Sequence, residues 1–432
     1  MLDLHEMSLR AREASYDLSV SSPEQRNRAI LNLSGILKSR FEEIRNANRS
    51  DCTAAETENL SRPLLHRLIF DEKKLQQTTD GLTALAQLPD PLGATTYAME
   101  ITAGMKLYRV VCPIGIIGVI FESRPDALIQ IASLCIKSGN TVLLKGGREA
   151  SLTNHILCDC VRQALRESGL SEDAAQLLET REDVSAMLKE DGLIDLIIPR
   201  GSRQFVQYIM DHSRIPVLGH SDGLCHVYID EFADPEKAVK ISHDSKTQNV
   251  SVCNAAETIL VHQNIAEKVL PPLAEALKNA GVEIRGDEQT SRLIQCEKAS
   301  EKDWETEYLD YIVSIRVVST PAEAIAHINH FGSHHTDCIC TENKERAAEF
   351  MRRVDSAGVY WNVSTRFADG FVYGFGAEVG IATGKIHARG PMGLEGLTTY
   401  KYKLIGSGQT MTEIKNGTIA YTHQRLDTKC PY

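Results

Sequence analysis

From residue 114 onward, short uninterrupted apolar runs alternate with amphipathic stretches, and this alternation leaves few folds open. Residues 114–121 read as a fully buried strand, 126–137 as a helix, Ser138-Gly139-Asn140 as a turn, 141–144 as a strand and 151–167 as a helix. Continuous apolar strands joined by helices are covered on both faces, which is the pattern of a parallel α/β sheet. The series continues with strand 195–198, helix 202–211, short strands 216–218 and 226–229, and helix 234–243. A second series runs through strand 257–261, a helix from Asn264, strand 312–318, helices 321–329 and 342–354, and strand 358–363. At 432 residues this predicts two open, twisted α/β domains. Their expected bounds are 1–250 and 251–397.

Two further elements stand outside this alternation. Ser22-Pro23-Glu24 reads as a helix start, and Ile30, Leu33, Leu37, Phe41 and Ile44 then recur at spacings of three and four, predicting one long amphipathic helix. Residues 97–111 alternate apolar and polar positions around Ala103-Gly104, which predicts a β-hairpin at about 95–112 with one solvated face. Within the second series, Pro271-Pro272 is expected to interrupt or kink the first helix.

Lys and Arg total 47 against 58 Asp and Glu, a net charge of −11 without long single-sign blocks, which argues against a phosphate-backbone partner. The first twenty residues lack the basic and apolar regions of a secretory signal, and the longest apolar run, 110–121, is short of the roughly 20 residues a membrane helix needs. A cytoplasmic protein without membrane contact is therefore expected. The 11 cysteines include no CxxC pair, which suits reduced thiols.

Several segments could carry chemistry. The GxGxxG fingerprint is absent, the nearest match around Gly374, Gly376 and Gly380 having one residue too many. Lys145-Gly146-Gly147 instead closes a buried strand, where open α/β sheets bind ligands, and could take a ribose or phosphate or serve only as a βα turn. At 198–202, a strand ends in Arg200 and Gly201, and Ser202 opens a helix whose amides could face an anion or form a plain cap. Cys253 lies on a polar loop between the two series, a place suited to a nucleophile for acyl transfer. His330, His334, His335 and Asp337 raise the question of a metal, but Gly332-Ser333 breaks the helix that would align them, and no metal is expected. The stretch 362–370 with Arg366, followed by His387 and Arg389, suits a carboxylate or phosphate, and equally a solvated surface loop.

Taken together, PIGIIGVI, SGNTVLLKGG, the cysteine loop, EAIAHIN and FGAEVGIAT resemble the aldehyde dehydrogenase superfamily. Within it, FESRPDAL, LLKGGREA, GLCHVYID, CNAAETILV, HINHFGSHHTD and FGAEVGIATGKIHARGPMGLEGLTTYK are similar to the γ-glutamyl phosphate reductases, over nearly the whole chain. The resemblance implies NADPH-dependent reduction of L-glutamyl 5-phosphate to glutamate 5-semialdehyde and phosphate, the second step of proline biosynthesis from glutamate. It places the nucleophile at Cys253, with Asn254 and the Cys253 amide as oxyanion donors. For the cofactor it implies Lys145 at the adenosine ribose or its 2′-phosphate, with Gly146 beside it among the cofactor-binding residues, Gly201 and Ser202 near the pyrophosphate, and Glu307 at the nicotinamide ribose. Arg124, His335, Arg366 and Arg389 are the residues expected to hold the substrate's phosphate or α-carboxylate.

Two departures from ordinary aldehyde dehydrogenases bear on the reaction. The stretch that usually carries a general-base glutamate reads 217–223 as VLGHSDG, and the one that carries an oxyanion asparagine reads 122–126 as ESRPD. The first removes an evident base for hydrolysing a thioester, as a phosphate-exchanging enzyme requires. Another acylating or aldehyde-oxidising dehydrogenase of the superfamily is the alternative. The hairpin and a tail at 398–432 resemble the superfamily's oligomerisation elements, which implies a homo-oligomer, a dimer or tetramer, by edge pairing between subunits. Association with the glutamate 5-kinase that makes the labile acyl phosphate is left open.

Overall fold

The computed structural model describes residues 3–60, 62–122, 124–179, 181–219 and 222–432. Ser123, His220 and Ser221, which fall within the two departing stretches, lie outside the described residues.

Five helices open the chain: α1 (Leu4–Val20), α2 (Pro23–Ser39), α3 (Phe41–Thr57), α4 (Arg62–Leu68) and α5 (Glu72–Gln87). Ser22 and Gln25 form a reciprocal capping box at the start of α2, as the Ser-Pro signal implied. The expected single helix through Ile44 is in fact two, broken at Arg40. That residue ends α2 and begins α3, so Phe41 and Ile44 continue the apolar stripe on a new axis.

The hairpin follows as β1 (Thr95–Thr102) and β2 (Met105–Pro113), turning at Gly104 with φ +73°. The first α/β unit contains β3 (Ile116–Phe121), α6 (Pro125–Lys137), β4 (Thr141–Lys145), α7 (Ser151–Glu167), β5 (Ala175–Leu178), α8 (Arg181–Met187), β6 (Leu196–Arg200) and α9 (Arg203–His212). Its strands form a parallel sheet in the order β5-β4-β3-β6. Residues 216–218 form only a bridge, Val217 to Ile197. Ile117, Val119, Leu144 and Ile198 face α6, α7 and α2 in one continuous apolar core.

The second unit holds β7 (Cys225–Ile229), α10 (Pro235–Thr247), β8 (Ala256–His262), α11 (Gln263–Asn279), β9 (Glu283–Gly286), α12 (Glu288–Leu293), β10 (Glu297–Lys298), β11 (Ile312–Val318), α13 (Pro321–Phe331), β12 (Thr336–Cys340), α14 (Lys344–Arg353) and β13 (Gly358–Trp361). These strands form a parallel sheet ordered β10-β9-β11-β8-β7-β12-β13. Because β7 lies in this sheet and α10 packs against it, the chain passes between the units before Cys225, not at the expected residue 250. Val379, Ala382, Met392 and Leu397, expected in the second domain, pack back into the first unit's core.

Helix α11 runs through Pro271 and Pro272 without interruption. Both prolines face solvent, while Val269, Leu270, Leu273 and Ala274 bury the opposite face, so packing holds the helix across the two missing N–H donors.

After β14 (Ile381–Ala382) and β15 (Gly390–Pro391), the tail forms β16 (Thr398–Ile405), α15 (Met411–Lys415) and β17 (Gln424–Arg425). β16 pairs with β2 from Thr398↔Pro113 to Ile405↔Lys106, and β17 pairs with β1. The chain's own tail thus covers both edges of the hairpin, which were expected to pair between subunits. No helix among the described residues is long and apolar enough to cross a membrane.

Candidate active site

In the first sheet the strand order reverses between β3 and β6, and it is at such a switch point that open α/β sheets bind ligands. The carboxyl ends of these strands open on a cleft of about 520 Å³ lined by Glu122, Arg124, Arg200, Cys253, Glu307 and Glu378, among others. Cys253 precedes β8 and Glu307 precedes β11, so the second sheet contributes its strand-leading loops to the same space. A larger open groove of about 890 Å³ beside α10 and α11 has no cysteine in its described lining.

The nucleophile loop is tied down from several sides. Gly223 lies flat against it, and a Cβ there would sit 2.0 Å from the Cys253 carbonyl oxygen. The Gly223 N–H donates to Glu307 Oε1 at 2.9 Å, and the Cys225 thiol donates to the Cys253 carbonyl at 3.3 Å. Thr365 Oγ1 donates to the Asn254 carbonyl at 2.7 Å. Asn254 itself is buried and its Nδ2 donates to the Ala368 carbonyl at 3.0 Å, so its amide anchors the loop and does not line the cleft.

The Cys253 thiol touches a base. His335, which leads into β12, places Nε2 3.2 Å from Cys253 Sγ, and its Nδ1 lies 2.9 Å from Thr336 Oγ1. The imidazole was expected to contact substrate; it is buried behind the thiol. Burial, followed by the nearby Glu307 and Glu378 carboxylates, pushes the Cys253 thiol up to about 12, with Arg200 pulling the other way. The sulfur therefore rests as a neutral thiol and needs a proton acceptor as it attacks.

Cations and carboxylates share the rest of the cleft. Arg124 and Arg200 both line it, and among the described residues neither guanidinium has a carboxylate within ion-pair distance. Burial, and then the charge of Arg124, hold Arg200 below its usual range. Two such cations side by side form a ready site for a phosphate dianion. Glu122 accepts the Ser202 N–H at 3.1 Å and is raised by burial. Glu378 Oε2 accepts the Gly370 N–H at 2.9 Å.

Of the residues expected at the site, Cys253, Gly201, Ser202, Glu307 and Arg124 line this cleft. Lys145 is buried at the end of β4 with Nζ donating to the Gly146 carbonyl at 2.6 Å, beside the cleft and not in its wall. Arg366 Nε donates to Gln248 Oε1 at 2.9 Å and borders a neighbouring pocket with Asp244 and Asp369. Arg389 is committed elsewhere, binding Asp355 Oδ1 and the Asp355 carbonyl, each at 3.0 Å. It takes no part in this cleft. Among the described residues His330, His334 and His335 form no metal-binding group. Arg200, Glu122 and Glu378 were missed as site residues, although Arg200 stood in the strand-end stretch already singled out.

The aldehyde dehydrogenase family model matches residues 3–302, more than half of the chain. A γ-glutamyl phosphate reductase of Acetivibrio thermocellus is 54% identical over 430 residues, covering 100% of both chains. The chain belongs to the γ-glutamyl phosphate reductases of the aldehyde dehydrogenase family. The crystal structure of a γ-glutamyl phosphate reductase from Thermotoga maritima superposes with a TM-score of 0.93 at 39% identity, covering 95% of this chain and all of that one. A propionaldehyde dehydrogenase from a Clostridium phytofermentans microcompartment shares the fold at 17% identity, with a TM-score of 0.64 over 95% of this chain and 99% of that one. The fold is thus that of an aldehyde dehydrogenase, and members of this family are oxidoreductases that use a nicotinamide cofactor.

Proposed function

We propose that this γ-glutamyl phosphate reductase reduces L-glutamyl 5-phosphate to L-glutamate 5-semialdehyde and phosphate through a thioester on Cys253. The observation that carries the reading is the Cys253 Sγ–His335 Nε2 contact of 3.2 Å in a cleft that also presents the guanidiniums of Arg124 and Arg200, neither in an ion pair among the described residues. In this reading His335 takes the thiol proton as sulfur attacks C5 of the substrate. The C–O bond to phosphate then breaks, with Arg124 and Arg200 neutralising the leaving dianion. His335, now protonated, returns its proton when the thiohemiacetal collapses and frees the semialdehyde.

Gly146 and Gly201 are packed closely by neighbouring side chains, since a Cβ on Gly146 would meet Asn154 Nδ2 at 2.2 Å and one on Gly201 would meet Glu122 Oε2 at 2.7 Å, so a larger residue at either strand end would displace these neighbours. Lys145, Gly146, Gly201, Ser202 and Glu307 would hold the cofactor, and Glu122 must release the Ser202 amide for a pyrophosphate to use it. When bound, NADPH supplies the hydride that reduces the thioester.

Hydrolytic aldehyde oxidation is the rival, because Glu307 and Glu378 bring carboxylates into the cleft even though the 217–223 stretch lacks the usual glutamate. NADP reduction with glutamate semialdehyde, with and without inorganic phosphate, decides between them. Strict phosphate dependence is expected, and turnover without phosphate overturns the acyl-phosphate reading. The exposed Tyr400, Tyr402 and Leu404 on β16 support a homo-oligomer built on the outer side of that strand.

A further inference from the structure

Glu378 has no part in the steps above, yet it stands in the same cleft as Cys253. Its backbone is held by Gln130, whose Nε2 donates to the Glu378 carbonyl at 3.1 Å, and its Oε2 accepts the Gly370 N–H. Among the described residues Oε1 has no hydrogen-bond donor and no cation within ion-pair distance. Burial, then the charge of Asp369, push this carboxyl up to about 7, while the Gly370 amide and the charge of Arg200, which stands beyond ion-pair distance, pull the other way. Of the other carboxylates here, Glu122 holds the Ser202 amide and Glu307 the Gly223 amide, on the side expected to take the cofactor.

The substrate of the proposed reaction carries three charged ends. Arg124 and Arg200 answer the phosphate, while the α-ammonium needs a carboxylate close to the thiol. We propose that Glu378 receives the α-ammonium group of the substrate and so selects an amino-acid acyl phosphate over its deaminated counterpart. The inference rests on the glutamyl phosphate reading given above.

The contact has a chemical consequence at the acyl-enzyme. A free α-amine can attack C5 of the thioester, forming a C–N bond as the C–S bond breaks and a proton of the amine passes to Cys253 Sγ. The product is 5-oxoproline, and no NADPH is consumed after the thioester has formed. An ammonium held by Glu378 has no lone pair with which to do this.

The test uses the reverse reaction with NADP and saturating phosphate. kcat/KM for glutamate 5-semialdehyde is divided by that for 5-oxopentanoate, the same aldehyde without its amino group. In Glu378→Gln this ratio is expected to fall by about 10- to 100-fold, the size of one charge-assisted hydrogen bond, and by less in Glu378→Asp, which keeps the charge. In the absence of phosphate, Glu378→Gln should also release more 5-oxoproline per NADP reduced than the unsubstituted enzyme. Equal losses on both aldehydes, or none, overturn the proposal and leave the phosphate reading standing. A ratio near one in the unsubstituted enzyme overturns it without any variant. If the unsubstituted enzyme shows no phosphate-dependent turnover of the semialdehyde, the underlying reading fails first and the proposal with it.

Discussion

At Cys253 the decisive quantity is where the proton sits before reaction. A thiol pushed up to about 12 by burial, Glu307 and Glu378 holds far less thiolate at neutral pH than a free cysteine with its pKa near about 8.5. Alkylation of the substrate-free enzyme by iodoacetamide should therefore keep accelerating from about pH 8 to about pH 10, with no plateau near about 8.5. His335→Gln should lower kcat by about 10²-fold or more, the usual range for a lost general base, while Tm changes little. A plateau near the free-thiol value, or a fully active glutamine variant, would remove His335 from its role. The sequence showed Cys253 because its loop is polar and lies between two α/β series. It gave His335 as one histidine of a cluster and as an expected substrate contact, since nothing local reveals that a residue 82 positions away will meet the sulfur. Arg200 ends strand β6 and Glu378 stands in a loop far along the chain, and only folding brings them together.

At the scale of elements, the strands were legible wherever both faces are buried. Residues 114–121, 141–144, 257–261 and 312–318 are predominantly apolar because helices cover each side, and all four lie in the observed strands or within two residues of them. What was lost is what depends on neighbours: the break at Arg40, the unbroken α11, and the membership of β7 in the second sheet. One buried device was equally invisible. Lys246 on α10 and Glu257 on β8 form a fully buried ion pair at 2.7 Å, and Glu257 Oε1 also accepts the Leu309 N–H at 3.3 Å, two residues from Glu307. Burial raises the Glu257 carboxyl to about 7 even with its partner present. Lys246→Met leaves that carboxylate buried alone, at a cost of about 3–5 kcal/mol in urea unfolding near neutral pH. The sign follows from the raised pKa. Glu257 binds its proton more tightly folded than unfolded, so the variant is most stable below about pH 4 and loses stability as pH rises through about 7 and beyond. A variant equally stable at about pH 5 and about pH 8 would show that the carboxylate finds another partner.

Over the whole molecule, two parallel sheets supply the chemistry and a four-stranded antiparallel ribbon, β16-β2-β1-β17, stands apart from both. Ala98, Tyr108 and Val110 form the buried apolar centre of the ribbon's own small core. A ribbon with so little apolar support is marginal by itself. On β16, Tyr400, Tyr402 and Leu404 are 52%, 58% and 58% exposed, and they recur at the two-residue spacing of one strand face. Among the described residues the outer edge of β16 also has no strand beside it, since its pairing partner β2 occupies only the inner side. An apolar face and an open edge on the same strand are a combination that isolated proteins avoid, because each invites association. If a second copy covers them, placing charge there should separate the copies while leaving the cleft intact, for no β16 residue lines it. Tyr402→Asp with Leu404→Asp is expected to shift sedimentation to the 47.8 kDa monomer. Loss of assembly should also lower Tm, because the ribbon then carries its exposed face alone. A doubly substituted chain that sediments as the unsubstituted protein does would place the contact elsewhere and leave β16 an exposed strand protected only by its lysines, Lys401 and Lys403.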